Sequence, residues 1–192
     1  YGVAHYNLGN LYAFQGRFAL AQQHFEEALR LYPNYADVRI GLGQLMVQTG
    51  NLEGGIQQFR EAIALNPTLG KAHLHLGVAL AKQGRIAEAT LPLQEAVRLV
   101  PESAEAHYYL GSVYAAQSRY DDAAPFFYEA LRLRGNFAAA HQGLAQLLSL
   151  QGKKGEAEQH YREALRLMKQ KSGTKDMHWR TATWSSSLIQ PP

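Results

Sequence analysis

Apolar positions fall in two alternating stretches of about 13 residues, and the pair of stretches returns every 34 residues along the 192-residue chain. In the first stretch Ala4, Leu8, Leu11 and Tyr12 follow the i, i+4, i+7, i+8 spacing of one helix face. In the second, Phe18, Ala21, Phe25, Ala28 and Leu29 do the same. This predicts helix A over 2–14 and helix B over 18–31. The frame then places helix A at 36–48, 70–82, 104–116 and 138–150, and helix B at 52–65, 86–99, 120–133 and 154–170. Within the frame stand columns of one residue type. Leucine holds Leu8, Leu42, Leu76, Leu110 and Leu144, and alanine holds Ala28, Ala62, Ala96, Ala130 and Ala164. A large apolar residue stands at Phe25, Phe59, Leu93, Phe127 and Tyr161. Such a period is one helix pair copied along the chain, each copy needing its neighbours to bury its apolar face. The expected class is all-α, with repeats at about 2–35, 36–69, 70–103, 104–137 and 138–171.

The residues between the stretches fit this division. Gly16, Gly50, Gly84 and Gly152 fall just past helix A, where a left-handed residue commonly ends a helix, with Ser118 as the exception. Pro33, Pro67 and Pro101 close helix B, and Asn34, Thr68, Ser103 and Asn136 stand at or beside the next N-cap. Gly9, Gly43, Gly77 and Gly111 lie inside helix A, where glycine costs about 0.8–1 kcal/mol relative to alanine; close approach of two helices is the reason expected. Glu27/Arg30, Glu95/Arg98, Glu129/Arg132 and Glu163/Arg166 at i, i+3 mark a solvated face. Pro92 and Pro125 stand about two turns into helix B, where each removes a backbone hydrogen bond and predicts a local kink. Lys154 and Lys169 replace an apolar residue and a proline, so the fifth copy departs toward an end cap.

Composition changes this picture little. The formal charge is +3, but the array through residue 168 is balanced, and the surplus comes from Lys169, Lys171, Lys175 and Arg180 against Asp176. The repeats therefore offer no net pull toward a phosphate backbone or an anionic membrane, and no nucleic-acid partner is expected. The absence of cysteine excludes disulfides and thiolate chemistry, and fits either a reducing or an oxidising compartment. No stretch approaches the roughly 18–20 apolar residues of a membrane span. Tyr1 aligns with Tyr35, the last residue of a repeat, which predicts that the array continues upstream. Beyond Lys171 the period stops, and residues 172–192 read as a poorly ordered tail in which Trp179 and Trp184 could dock on the last helix.

Candidate chemistry is sparse. His73, His107 and His141 lie one repeat apart, too far to share a metal, and His24 and His160 lack an i, i+3 or i, i+4 partner. A structural role is expected for the first three, and a structural or merely exposed one for His24 and His160. No serine, histidine and acid are spaced for nucleophilic catalysis, and Gly41-Leu42-Gly43 lies inside a helix rather than after a strand, so it is no phosphate loop. No cofactor, metal or catalytic residue is expected.

Leu8-Gly9 with Tyr12, Ala21, Phe25, Ala28 and Pro33 resembles the tetratricopeptide repeat. The match covers residues 2 to about 171. The family's usual tryptophan near the start of helix A is replaced by His5, Arg39, His73, His107 and His141. The resemblance implies an α-solenoid, a right-handed superhelix whose A helices line a concave groove. It also implies a non-catalytic protein–protein interaction scaffold, or alternatively the recruiting arm of a larger enzyme. By this analogy the peptide-binding residues are Tyr6, Asn10, Gln44, Lys71, His75, Tyr108, Tyr109, Ser112 and Gln142, with Asn7, Phe14, Asp37, Gln48, Lys82, Glu105 and Gln146 around them. Their amides and hydroxyls suit an extended peptide backbone. The carboxylate clamp of some family members maps to Tyr6, Asn10, Gly41, Lys71 and His75, of which Asn10 and Lys71 alone match.

Overall fold

Each expected helix forms in residues 1–173, the part of the chain that the computed structural model describes. They are α1 (Gly2–Phe14), α2 (Phe18–Leu31), α3 (Ala36–Gln48), α4 (Leu52–Leu65), α5 (Gly70–Lys82), α6 (Ile86–Leu99), α7 (Ala104–Ala116), α8 (Tyr120–Leu133), α9 (Ala138–Leu150) and α10 (Lys154–Gly173). No strand occurs among the described residues. Nine of the helices keep the expected bounds, and α10 runs past residue 170. Trp179, Trp184 and most of the expected tail lie outside the described residues. The helices group into two compact units, one over Tyr1–Val100 with three helix pairs and one from Pro101 onward with two.

Within each unit helix B serves two partners. In the first, α2 packs on α1 and on α3, and α4 on α3 and on α5; in the second, α8 packs on α7 and on α9. The core therefore passes from one pair to the next. Ala21, Phe25 and Ala28 of α2 are buried together with Val38, Leu42 and Leu45 of α3. Phe25, Phe59, Leu93 and Phe127 have almost no exposed surface, and burial of such a side chain stabilises by about 1.5–3 kcal/mol. Among the described residues the column ends at Tyr161, which is exposed, with no further helix A described after α10.

The glycines inside helix A sit where that core is tightest. A Cβ on Gly9 would lie 2.7 Å from the Phe25 ring, on Gly43 2.7 Å from Phe59, and on Gly77 2.5 Å from Leu93. The close approach outweighs their poor helix propensity. Past helix A, Gly16, Gly50, Gly84 and Gly152 all take positive φ, and Ser118 takes φ 60° in the same place without being glycine. The helix starts fall at or beside the expected residues. The N-cap positions belong to Tyr35, Leu69, Ser103 and Phe137, so Asn34, Thr68 and Asn136 stand one residue too early to cap. Ser103 Oγ does accept from Ala106 N–H, and Asn51 Oδ1 caps α4 through Gly54 N–H. Both α6 and α8 remain helical through Pro92 and Pro125.

Four of the five residues that replace the tryptophan of the resembled repeat share one task. Arg39 donates to Pro33 O, His73 to Pro67 O, His107 to Pro101 O and His141 to Gly135 O, at 2.9–3.1 Å. Each ties the start of helix A to the loop that precedes it. Their other side faces helix B of the same pair, 19 residues on. There His5 Nδ1 lies 2.9 Å from His24 Nδ1, and His141 Nδ1 2.9 Å from His160 Nδ1. His24 and His160 thus have partners on the neighbouring helix of the same pair. Burial, and then the neighbouring His141, hold the His160 imidazole below its usual range.

Candidate peptide-binding site

In the first unit the A helices α1, α3 and α5 lie side by side, each in contact with the next. The exposed Asn10 on α1 stands beside Gly41 on α3, where an added Cβ would meet Asn10 Oδ1 at 3.6 Å. One turn further along α3 the exposed Gln44 reaches α5, and Gln44 Nε2 lies 2.8 Å from His75 Nε2. An amide nitrogen only donates, so His75 Nε2 accepts and its proton sits on Nδ1. Gln44 Oε1 is left as an acceptor and His75 Nδ1–H as a donor. The His75 ring rests on Phe59 with centroids 5.6 Å apart. Burial, then the Lys71 and Lys82 ammonium groups, push its pKa down to about 4, so the ring is neutral at physiological pH. Burial also lowers the Lys82 pKa. Lys71 is exposed at the start of α5.

The second unit treats its expected site residues differently. Tyr108 is 7% exposed and packs on Phe137, Phe127 and Tyr109, with the Phe137 ring centroid 5.0 Å away. Ser112 is 8% exposed and donates its hydroxyl to Tyr108 O, one turn back. Neither faces solvent, although both were expected among the peptide-binding residues. The reason is visible one unit away. Tyr6 occupies the same column and packs on Tyr35 as Tyr108 packs on Phe137, at 5.5 Å between centroids. Ile40, again in that column, is buried, and Gln142 is half-buried. This column packs toward the start of the following helix pair. Tyr109 is half-buried, and burial, then Glu105, raises its pKa. Glu105 itself pairs with Arg134.

Of the nine residues expected to bind, the structure brings Asn10, Gln44, Lys71 and His75 to one face of the first unit. Tyr109 and Gln142 belong to the second unit, and Tyr6, Tyr108 and Ser112 belong to packing in whole or part. Sequence reading missed the Gln44–His75 bond, which joins columns three positions apart in neighbouring repeats, and the pairing of Glu105 and Arg134 across a helix pair. It also missed the Arg39–Glu61 ion pair between α3 and α4. Opposite charges at these offsets were the available signal for the two ion pairs, and the Gln44–His75 bond carried none.

An all-helical array of stacked pairs with a polar face on its A helices defines a helical-repeat interaction protein. The chain belongs to the tetratricopeptide repeat family: residues 6–70 and 102–170 match the tetratricopeptide repeat, and residues 79–118 match the TPR repeat. No curated protein matches it. Among solved structures it is similar to the subject of "Functional Characterization of Pseudomonas Aeruginosa pilF", with 25% identity, TM-score 0.80 and coverage of 86% of this chain and 75% of that one. MamA is similar at 24% identity and TM-score 0.74, covering 87% of this chain and 98% of that one. YrrB, described as a TPR protein with an unusual peptide-binding site, is similar at 21% identity and TM-score 0.70, covering 87% and 86%. Proteins of this family are in general non-catalytic scaffolds that bind protein partners. No described helix is long and apolar enough to cross a membrane.

Proposed function

We propose that this chain is a non-catalytic scaffold that holds an extended segment of a protein partner against the A helices of its first unit, with an acidic side chain of that segment opposite Lys71. The observation that carries this reading is the Gln44–His75 bond between α3 and α5. It fixes two side chains from different repeats in one orientation and leaves one acceptor and one donor for a ligand backbone. Asn10 extends the same polar line onto α1. Because His75 is neutral, its proton is available for hydrogen bonding without adding a third positive charge to Lys71 and Lys82. The balanced charge of the repeats favours a polypeptide over a nucleic acid. The peptide-binding site named for YrrB is in keeping with this reading.

The test is a displayed library of random extended peptides selected on the whole chain, followed by amide chemical-shift mapping with the selected peptide. Perturbation concentrated on α1, α3 and α5, with an enrichment of Asp or Glu in the selected sequences, is the expected result. Perturbation confined to α2, α4 and α6, or peptides without acidic residues, would contradict it.

A further inference from the structure

The A/B hairpin of each repeat folds residues 19 apart onto each other. His5 meets His24, Arg39 meets Gln58, His107 meets Phe126 and His141 meets His160. Among the described residues, only the first and fifth repeats bring two imidazoles together in this way.

We propose that His141 and His160 form a two-histidine binding site for a borderline divalent transition-metal ion of the zinc or copper(II) class, with His5 and His24 as a second, less organised copy. Imidazole nitrogens suit these ions. Ligand nitrogens 2.0–2.1 Å from a tetrahedral ion lie about 3.3 Å apart. The two Nδ1 atoms are 2.9 Å apart and meet head-on, with ring centroids 5.2 Å apart, so the ion is admitted by a few tenths of an ångström of opening together with a tilt of both rings that turns their lone pairs to one side.

The tautomers favour the same conclusion. His141 Nε2–H donates to Gly135 O at 3.0 Å, which leaves the His141 Nδ1 lone pair directed at His160. A backbone carbonyl on the remote nitrogen is the outer partner that orients a ligating histidine. In the free protein His160 Nδ1–H donates into that lone pair. When the ion binds, the His160 proton moves to Nε2 and both Nδ1 atoms become ligands, with no net change in protonation. His107 shows the arrangement without a second ligand. Its Nε2 holds Pro101 O and its Nδ1 is buried with no hydrogen-bond partner, because Phe126 stands opposite. The His5/His24 copy has no carbonyl on its outer nitrogens among the described residues, hence its lesser order.

No third histidine or carboxylate completes a metal cluster among the described residues, so water fills the remaining positions. Nearby carboxylates still favour a cation. Glu163 lies close enough to sense His141, and Glu156 close enough to sense His160 from one turn earlier on α10. Glu163 is held by Arg166, whereas Glu156 is exposed.

The experiment is a titration of the untagged chain with zinc chloride, read through the ring nitrogens of each histidine by long-range nitrogen–proton NMR. The expected result is a saturable change at Nδ1 of His141 and His160, with the His141 Nε2–H retained and the His160 proton transferred from Nδ1 to Nε2, and a weaker change at His5 and His24. His160→Phe copies the His107/Phe126 pairing already present in the fourth repeat, so the fold tolerates it; circular dichroism confirms that. This variant should lose zinc at His141 by at least the roughly 10–100-fold that removal of even an outer partner costs. His24→Phe should leave the His141/His160 response intact. Unmoved rings at zinc excess would overturn the proposal, as would His160→Phe binding zinc as tightly as wild type. Magnesium should move neither ring; an equal response to magnesium would reduce the effect to general ionic strength and also overturn it.

Discussion

Ser118 occupies the turn position that glycine holds in the other four copies, and it does so at φ 60°. A side chain in the left-handed region costs roughly 1–2 kcal/mol that glycine avoids. Ser118→Gly should therefore raise stability by about 1 kcal/mol, visible as a higher denaturation midpoint. Ala96 sets the opposite case. It is 1% exposed in the column that is alanine in every copy, so Ala96→Phe should overpack the helix interface and destabilise by about 1–3 kcal/mol. An unchanged midpoint would mean the interface has room. His75 adds a pH dependence. Its folded pKa of about 4 lies below the ordinary 6.5, so unfolding takes up a proton between those values. Its contribution to stability is complete above about 6.5 and is lost as pH falls through 4. Stability of His75→Gln should fall less steeply between pH 7 and 4 than that of wild type, since glutamine keeps a polar partner for Gln44 but does not titrate. Equal slopes would assign the effect to another group.

At the scale of elements, the same leucine column behaves differently at its start. Leu8 is 37% exposed, while Leu42, Leu76, Leu110 and Leu144 are 7% or less, because α1 has no preceding helix B packed on it among the described residues. Helices α1 and α2 should exchange their amide hydrogens faster than α3 to α5, since their opening exposes less buried surface. Equal protection would contradict the one-dimensional stacking of stability along the first unit. Helix bounds were legible because each boundary carries its own residue: glycine past helix A, proline past helix B, and a strict period between them. The N-caps were less so. Asn34 and Thr68 have the right chemistry, but the chain enters the helix one residue later, at Tyr35 and Leu69. The site was legible in part. Asn10, Gln44, Lys71 and His75 follow from the family's face, whereas Tyr108 and Ser112 look the same in sequence and are buried. What separates them is an aromatic neighbour, Phe137, that enters from the loop before the next helix. The histidine pairs were hidden because their partners lie across a hairpin rather than along a helix.

At the scale of the whole molecule, the balanced charge of the repeats and the family's general character point to surface recognition as the function to be tested. The direct measurement is the affinity of one selected peptide for three forms of the chain. The first is wild type. The second carries Gln44→Ala with Lys71→Ala on the A helices, both exposed, so stability should change little. The third carries Glu95→Ala with Arg98→Ala on α6, removing a surface ion pair worth at most about 1 kcal/mol. The account predicts a loss of about tenfold or more for the second form, equivalent to roughly 1.4 kcal/mol, and none for the third. Equal affinities for wild type and the Gln44/Lys71 form, or a loss confined to the Glu95/Arg98 form, would place recognition elsewhere on the molecule.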